Sequence, residues 1–313
     1  MKAFIRPRFR LKPQALDPKP MNILLLGHTG QVGFELHRTL APLGSITATS
    51  RAELDLMAPE AVSDYLQRLR PDLIVNAAAW TAVDAAEEQA DAARRLNAEL
   101  PRQLAQFCVE KGGYLVHYSS DYVYPGNGTA AWQETDDIGP LSTYGQTKLE
   151  GDEAILDSGA EHLIFRTSWV YSARGNNFMK TMLRLARSKP ELNIVADQIG
   201  APTPARLIAE VTALALHGNI TSGLYHLAPS GETSWHGFAQ EIFRQAQQAG
   251  EELAMGPENA HPIATSEYPT PAQRPLNSRM DLTKIEKALN VQMPDWQSQL
   301  ALTLGEYLEN GVR

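Results

Sequence analysis

Apolar residues along this chain gather into short runs that stop at small or polar residues, with amphipathic stretches between them. Met21 opens the run NILLLG, which ends at Gly27. HTGQVGFELHRTLAPLG follows with helical spacing and closes at Gly44. SITATS (45–50) predicts a second strand, PEAVSDYLQRLRP (59–71) a helix stopped by proline, and DLIVNAAA (72–79) a third strand. DAARRLNAELPRQLAQFCVEKGG (91–113) predicts a helix ended by two glycines, and YLVHYSS (114–120) a fourth strand. Residues 143–158 predict another helix and HLIFRTSWV (162–170) a fifth strand. Apolar strands alternating with amphipathic helices predict right-handed βαβ units. The expected fold class is α/β: a Rossmann-type doubly wound parallel sheet with helices on both faces.

Beyond residue 171 the alternation loosens. NNFMKTMLRLARSKP, ARLIAEVTALALHG and SWHGFAQEIFRQAQQAG predict helices, GLYHLAP (223–229) a strand, and prolines cluster between 257 and 275. The expected division is a main sheet domain over 21–170 and a smaller C-terminal lobe over 171–313, with segments returning to the sheet. Residues 1–20 carry six basic side chains, one acid and several prolines, and lack the apolar core of a secretory signal. They are expected to be a disordered extension.

Composition narrows the function classes. A chain of 313 residues with 43% hydrophobic content can bury a large core. A net charge of −8 argues against a nonspecific nucleic-acid binder, although a phosphate-bearing small molecule needs only a local nest of donors. The single cysteine, Cys108, excludes a disulfide within the chain and a four-thiolate zinc site. No stretch approaches the ~20 apolar residues of a membrane span, and a cytoplasmic protein is expected.

Gly27, Gly30 and Gly33 fall between the first strand and the first helix, which is the setting of a dinucleotide loop. Glycines let the backbone approach a pyrophosphate, and the helix start offers unpaired N–H groups. The spacing is G-x-x-G-x-x-G rather than the commoner G-x-G-x-x-G. After the second strand stand Ser50 and Arg51, where an acid would select the ribose 2′-hydroxyl. A hydroxyl and a guanidinium suit a 2′-phosphate, so NADPH is favoured over NADH. Asp55 and Leu56 lie where an acid could meet the adenine amine, and Ala77, Ala78 and Ala79 are small enough for a cofactor to lie against the strand end.

Ser120 tips the fourth strand, and ligands sit beyond the carboxyl ends of such strands. Tyr144 and Lys148 follow one helical turn apart, so they share a face. A lysine ammonium stabilises tyrosinate and would lower Tyr144 below its ordinary ~10. The expected roles are Ser120 orienting a carbonyl, Tyr144 giving a proton, Lys148 tuning it, and a nicotinamide giving hydride.

With Gly27–Gly33, Asn76–Ala79, Ser120 and Tyr144/Lys148 in place, the chain resembles the extended short-chain dehydrogenase/reductases. NAAAWTAVDAAE (76–87), SSDYVY, RTSWVY (166–171), GNNFMKTML (175–183), DQIGAPTPA (197–205) and RPLNSRMDL (274–282) resemble the branch that reduces dTDP-4-dehydro-L-rhamnose at C4. The resemblance spans about 22 to 305. It implies an NAD(P)H-dependent oxidoreductase acting on a sugar nucleotide, with Gly30, Gln31, Val32, Asp55, Leu56, Ala78 and Ala79 at the cofactor. It implies Ser120, Asp121, Tyr122, Trp169 and Asn177 at the sugar nucleotide. Arg174 and Arg274 suit a diphosphate, or else form surface ion pairs.

The sequence departs from the family at Ser120, where threonine is usual, at Tyr124-Pro125-Gly126 in place of Phe-Asp-Gly, and at Ser142 in place of asparagine. Some relatives are dimers with magnesium between subunits. No oxygen-ligand cluster in the sequence points to a metal, so magnesium and a monomer or homodimer are left open. Two other readings keep the fold: another sugar-nucleotide reductase or epimerase, and a non-catalytic regulatory subunit of methionine adenosyltransferase.

Overall fold

The computed structural model describes residues 20–311, so the N-terminal extension expected over 1–20 lies almost wholly outside the described residues. The first half alternates as the sequence predicts. It runs β1 Met21–Leu26, α1 Gln31–Thr39, β2 Gly44–Thr49, α2 Pro59–Leu69, β3 Leu73–Asn76, α3 Val83–Glu88, α4 Ala90–Arg94, α5 Leu100–Lys111, β4 Tyr114–Ser120, α6 Thr143–Ser158 and β5 Glu161–Thr167. The second half is more broken: β6 Val170–Tyr171, α7 Phe178–Ala186, β7 Leu192–Val195, β8 Ile199–Gly200, β9 Thr203–Pro204, α8 Ala205–Gly218 and β10 Gly223–His226. It ends with β11 Thr233–Ser234, α9 Trp235–Gln248, β12 Ala260–Ile263, β13 Asn277–Ser278, α10 Thr283–Leu289 and α11 Trp296–Gly311.

Six parallel strands form the main sheet in the order β10-β5-β4-β3-β1-β2. One face packs on α1, α8 and α10, and the other on α2, α5 and α6. Both faces are covered, which is why the central strands read as unbroken apolar runs. A further core joins α7, α9 and α11 through Met179, Phe238, Phe243 and Leu300.

Two predicted strands are shorter than expected. The third stops at Asn76: Ala77 N still donates to Leu26 O at 3.0 Å, and the chain then turns across the loop at Gly27. The fifth stops at Thr167, because Trp169 adopts a left-handed backbone with φ of 49°. That conformation breaks a strand and re-aims the indole.

Pro101 sits inside the long helix and has no N–H to give, and a π-helical stretch, Arg95–Glu99, joins α4 to α5 there. The carbonyl of Asn97 faces α6 so closely that a Cβ on Gly151 would lie 2.0 Å from it. A Cβ on Gly145 would lie 2.3 Å from Tyr122 O. Gly151 lets α6 press against the π-helical stretch and Gly145 lets it press against the segment after β4, which brings Tyr144 to Ser120.

Candidate active site

The phosphate end is built from backbone. Gly27 has φ of 79°, and an added Cβ would lie 2.7 Å from Ala77 and Ala78 backbone atoms. A Cβ on Gly33 would lie 2.1 Å from Gly27 O. The loop is therefore wedged between α1 and the end of β3, and only glycine fits there. The first intrahelical bond of α1 is Phe34 N to Gly30 O at 3.0 Å, which leaves the amides of Gln31, Val32 and Gly33 at the helix start for an anion. This cradle fits the pyrophosphate of a dinucleotide.

At the ribose end, the Ser50 amide and hydroxyl both donate to one oxygen of Glu53, at 2.8 and 2.7 Å. Those bonds hold the Glu53 carboxyl below its ordinary value. Arg51 is exposed beside them. The serine hydroxyl assigned to a 2′-phosphate is thus already committed to a carboxylate. Asp55 Oδ1 accepts from Met57 N at 3.0 Å, and Leu56 packs toward the core beside α2.

The chemical end lies at the carboxyl tips of β4 and β5. Ser120 Oγ donates to Asp121 Oδ1 at 3.0 Å and accepts from Tyr122 N at 3.2 Å, and it lies close enough to Tyr144 to bear on the proton affinity of the phenol. Tyr144 keeps part of its surface open while protein atoms crowd its hydroxyl. Burial raises it above its ordinary value, and the Asp121 charge adds to this against the Ser120 hydrogen bond.

That direction is opposite to the expected lowering by Lys148. The lysine is fully buried, and its Nζ donates to Tyr118 O at 2.6 Å and lies 3.2 Å from His117 Nε2. Drawn to β4, the ammonium does not offset the burial of the phenol. Burial also pulls Lys148 down to about 8, with Asp152 acting against it.

On the sugar side, Asp121 is buried, and desolvation raises its carboxyl to about 6 against the hydroxyls of Ser278 and Ser120. Its Oδ2 has no hydrogen bond of good geometry. Tyr122 meets the Tyr144 ring edge-on at 5.4 Å. Arg274 pairs with Asp84 at 2.8 Å and reaches to 3.5 Å from the Tyr122 hydroxyl, so it stands beside the catalytic tyrosine candidate. Trp169 is partly exposed and stacks on Trp235 with ring centres 3.7 Å apart.

Two other residues lie elsewhere. Arg174 is exposed and covers the Phe34 ring of α1 at 3.8 Å, on the side of the glycine loop. Asn177 caps α7 through Lys180 N and donates to Gln31 Oε1 at 2.8 Å and Ser172 O at 2.7 Å. Its amide is spent on tying the second half of the chain to the glycine loop. Among the described residues no group of three or more His, Cys, Asp or Glu side chains is placed to hold a metal ion. None of their helices is long and apolar enough to cross a membrane.

Comparison with known proteins decides the family. A family model described as the RmlD substrate binding domain matches residues 21–309. The dTDP-4-dehydrorhamnose reductase of Escherichia coli K12 is 48% identical over 294 residues, 91% of this chain and 98% of that protein. The chain belongs to the dTDP-4-dehydrorhamnose reductase family. The reductase of Salmonella typhimurium LT2 is 49% identical, over 88% of this chain and 95% of its own length. The crystal structure of the Bacillus anthracis reductase in complex with NADP superposes with a TM-score of 0.84 at 32% identity, covering 91% of this chain and 99% of that one.

Within this reductase fold, several contacts escaped the sequence reading. His117 and Asn76 are buried behind Lys148. Trp235 backs Trp169 and donates to Gln198 Oε1 at 3.0 Å. Asp84 holds Arg274. The Tyr-x-x-x-Lys helix carried one signal that could have been extended: Asp152 falls one further turn along the same face and pairs with buried Arg166 at 3.0 Å.

Proposed function

We propose that this protein reduces the C4 keto group of dTDP-4-dehydro-L-rhamnose to give dTDP-L-rhamnose, in the cytoplasm. A bound NADPH supplies hydride, and NADH serves as a second donor. The observation that carries the reading is the placing of Ser120 and Tyr144 side by side with a glycine cradle on one end of one parallel sheet, in a chain of this family.

The amides of Gln31, Val32 and Gly33 hold the pyrophosphate, and Ala77, Ala78 and Ala79 line the path toward the nicotinamide end. Ser120 orients the keto oxygen. Tyr144 gives that oxygen its proton as it becomes an alkoxide, and its high proton affinity keeps it in the acid form needed for donation. Lys148 lends positive charge when the phenolate forms. Tyr122 and Trp169 flank the sugar, and Arg274 meets the diphosphate. Arg174 sits on the cofactor side of the cleft, and Asn177 serves the scaffold.

The test mixes the protein with dTDP-4-dehydro-L-rhamnose and NADPH, with NADH in parallel, and follows loss of the reduced-nicotinamide absorbance together with formation of dTDP-L-rhamnose. Tyr144→Phe should cut turnover by roughly 10²–10⁴-fold while leaving cofactor binding intact. Turnover unchanged in that variant would overturn the assignment.

A further inference from the structure

Hydrogen-bond bookkeeping behind Lys148 leads to a role for a residue outside the catalytic set. Asn76 Oδ1 accepts from Ala78 N at 3.3 Å, which aims Asn76 Nδ2 at His117 Nδ1, 3.2 Å away. An amide nitrogen only donates, so Nδ1 must accept. A neutral imidazole then carries its proton on Nε2. That N–H points at Lys148 Nζ, 3.2 Å away. The lysine also donates to Tyr118 O at 2.6 Å. A neutral amine satisfies every contact, giving a hydrogen to Tyr118 O and a lone pair to Nε2–H. An ammonium meets a donor head-on, or forces the clash back onto Asn76. Asn76, His117 and Lys148 are each 1% exposed, so no water relieves the mismatch.

We propose that His117, locked by Asn76 in its Nε2–H tautomer, is a positioning residue that loosens the proton of Lys148 and fixes where that side chain points. The other ionisable groups around Lys148 are Asp152 and Tyr144 on its own helix, with Arg166 of β5 neutralising Asp152. Only the Asp152 carboxylate favours the ammonium. His117 is itself held neutral by burial and by the lysine. The device lets a buried lysine give up and recover a proton within the working pH range, which matters if Tyr144 is to be recharged after each turnover. The proposal rests on the Tyr144–Lys148 reading above.

The test is the imidazole tautomer, read from long-range ¹H–¹⁵N correlations in histidine-labelled protein, with His117→Gln used to assign the signal. The expected result is a protonated Nε2 and a bare Nδ1. An Nδ1–H tautomer in the parent protein overturns the proposal, whether or not the protein turns over substrate. Asn76→Asp presents a pure acceptor to Nδ1 and should switch the tautomer. It should also move the alkaline limb of the kcat profile up by about one pH unit, a tenfold change in proton concentration. A folded Asn76→Asp protein with an unmoved alkaline limb also overturns it. If that variant does not fold, the parent spectrum alone decides. The Nε2–H tautomer in a protein with no reductase activity would uphold the network and remove only the functional reading.

Discussion

Replacing Lys148 with methionine is expected to stabilise the fold while disabling the enzyme. Burial pulls this lysine from 10.5 down to about 8. At ~1.4 kcal/mol per pH unit, holding the ammonium in place costs roughly 3 kcal/mol at neutral pH. Methionine has nearly the same length and removes that cost. It also removes the donor at 2.6 Å from Tyr118 O and the partner of His117 Nε2, which offsets about 1–2 kcal/mol. The net expectation is a gain of roughly 1–2 kcal/mol at pH 7 by urea denaturation, with turnover reduced by about 10²-fold or more.

The pH dependence has a defined sign. The folded state releases the lysine proton near 8 and the unfolded state near 10.5. Between those values the unfolded chain binds more protons, so the parent gains stability as pH rises through that window. The penalty is complete below about 8 and gone above 10.5. The advantage of Lys148→Met should therefore shrink between pH 7 and pH 10. A variant no more stable than the parent at pH 7, or one whose difference stays flat across that window, refutes the reasoning.

Gly27→Ala places a side chain on a left-handed backbone and drives Cβ to 2.7 Å from Ala77 and Ala78, so it should cost about 1–3 kcal/mol and weaken cofactor binding at least tenfold by fluorescence titration. Arg166→Met leaves Asp152 buried without its cation and should destabilise by about 3–5 kcal/mol, read as a lower urea midpoint. Arg274→Ala should raise KM for the sugar nucleotide about tenfold or more with a smaller effect on kcat. It should change stability by less than about 1 kcal/mol, because its partner Asp84 is part-exposed and can be rehydrated when the pair is lost.

The order of strands and helices was legible because both sheet faces are covered, so each central strand reads as an apolar run. The placement of the glycine loop, Ser120, Tyr144 and Lys148 at one end of the sheet was legible for a related reason: chain order alone carries them to the carboxyl ends of its strands. Other features depend on side chains that meet only after folding. Nothing in YLVHYSS marks His117 as the neighbour of a lysine on the next helix. Nothing in HLIFRTSWV announces that Trp169 turns left-handed to stack on Trp235. Asn177 reads as a polar ligand residue until its amide is seen capping α7 and holding Gln31. The direction of the Tyr144 shift was missed because a helical spacing says that two side chains share a face, not which partner each prefers.

Helix α6 explains why the site and the deep polar interior cannot be separated. Tyr144, Lys148 and Asp152 succeed one another at one-turn intervals, and each engages a different place on the sheet: Ser120 at the tip of β4, Tyr118 and His117 farther down it, and Arg166 on β5. Arg166 then donates to the Tyr124 hydroxyl at 2.8 Å, which shares a 2.6 Å hydrogen bond with His226 Nε2. His226 is held neutral, with its value lowered to about 4 by burial and by Arg166. Tyr124 therefore has a physical role that a phenylalanine could not fill: its hydroxyl meets both a buried guanidinium hydrogen and a buried imidazole. Burying so many polar groups is weak support for stability by itself. Their effect is to fix the rotation of α6 about its axis, since any turn of the helix would unpair Lys148 and Asp152 together. The cost of that buried row falls on the fold, and its benefit is a Tyr144 hydroxyl held against Ser120.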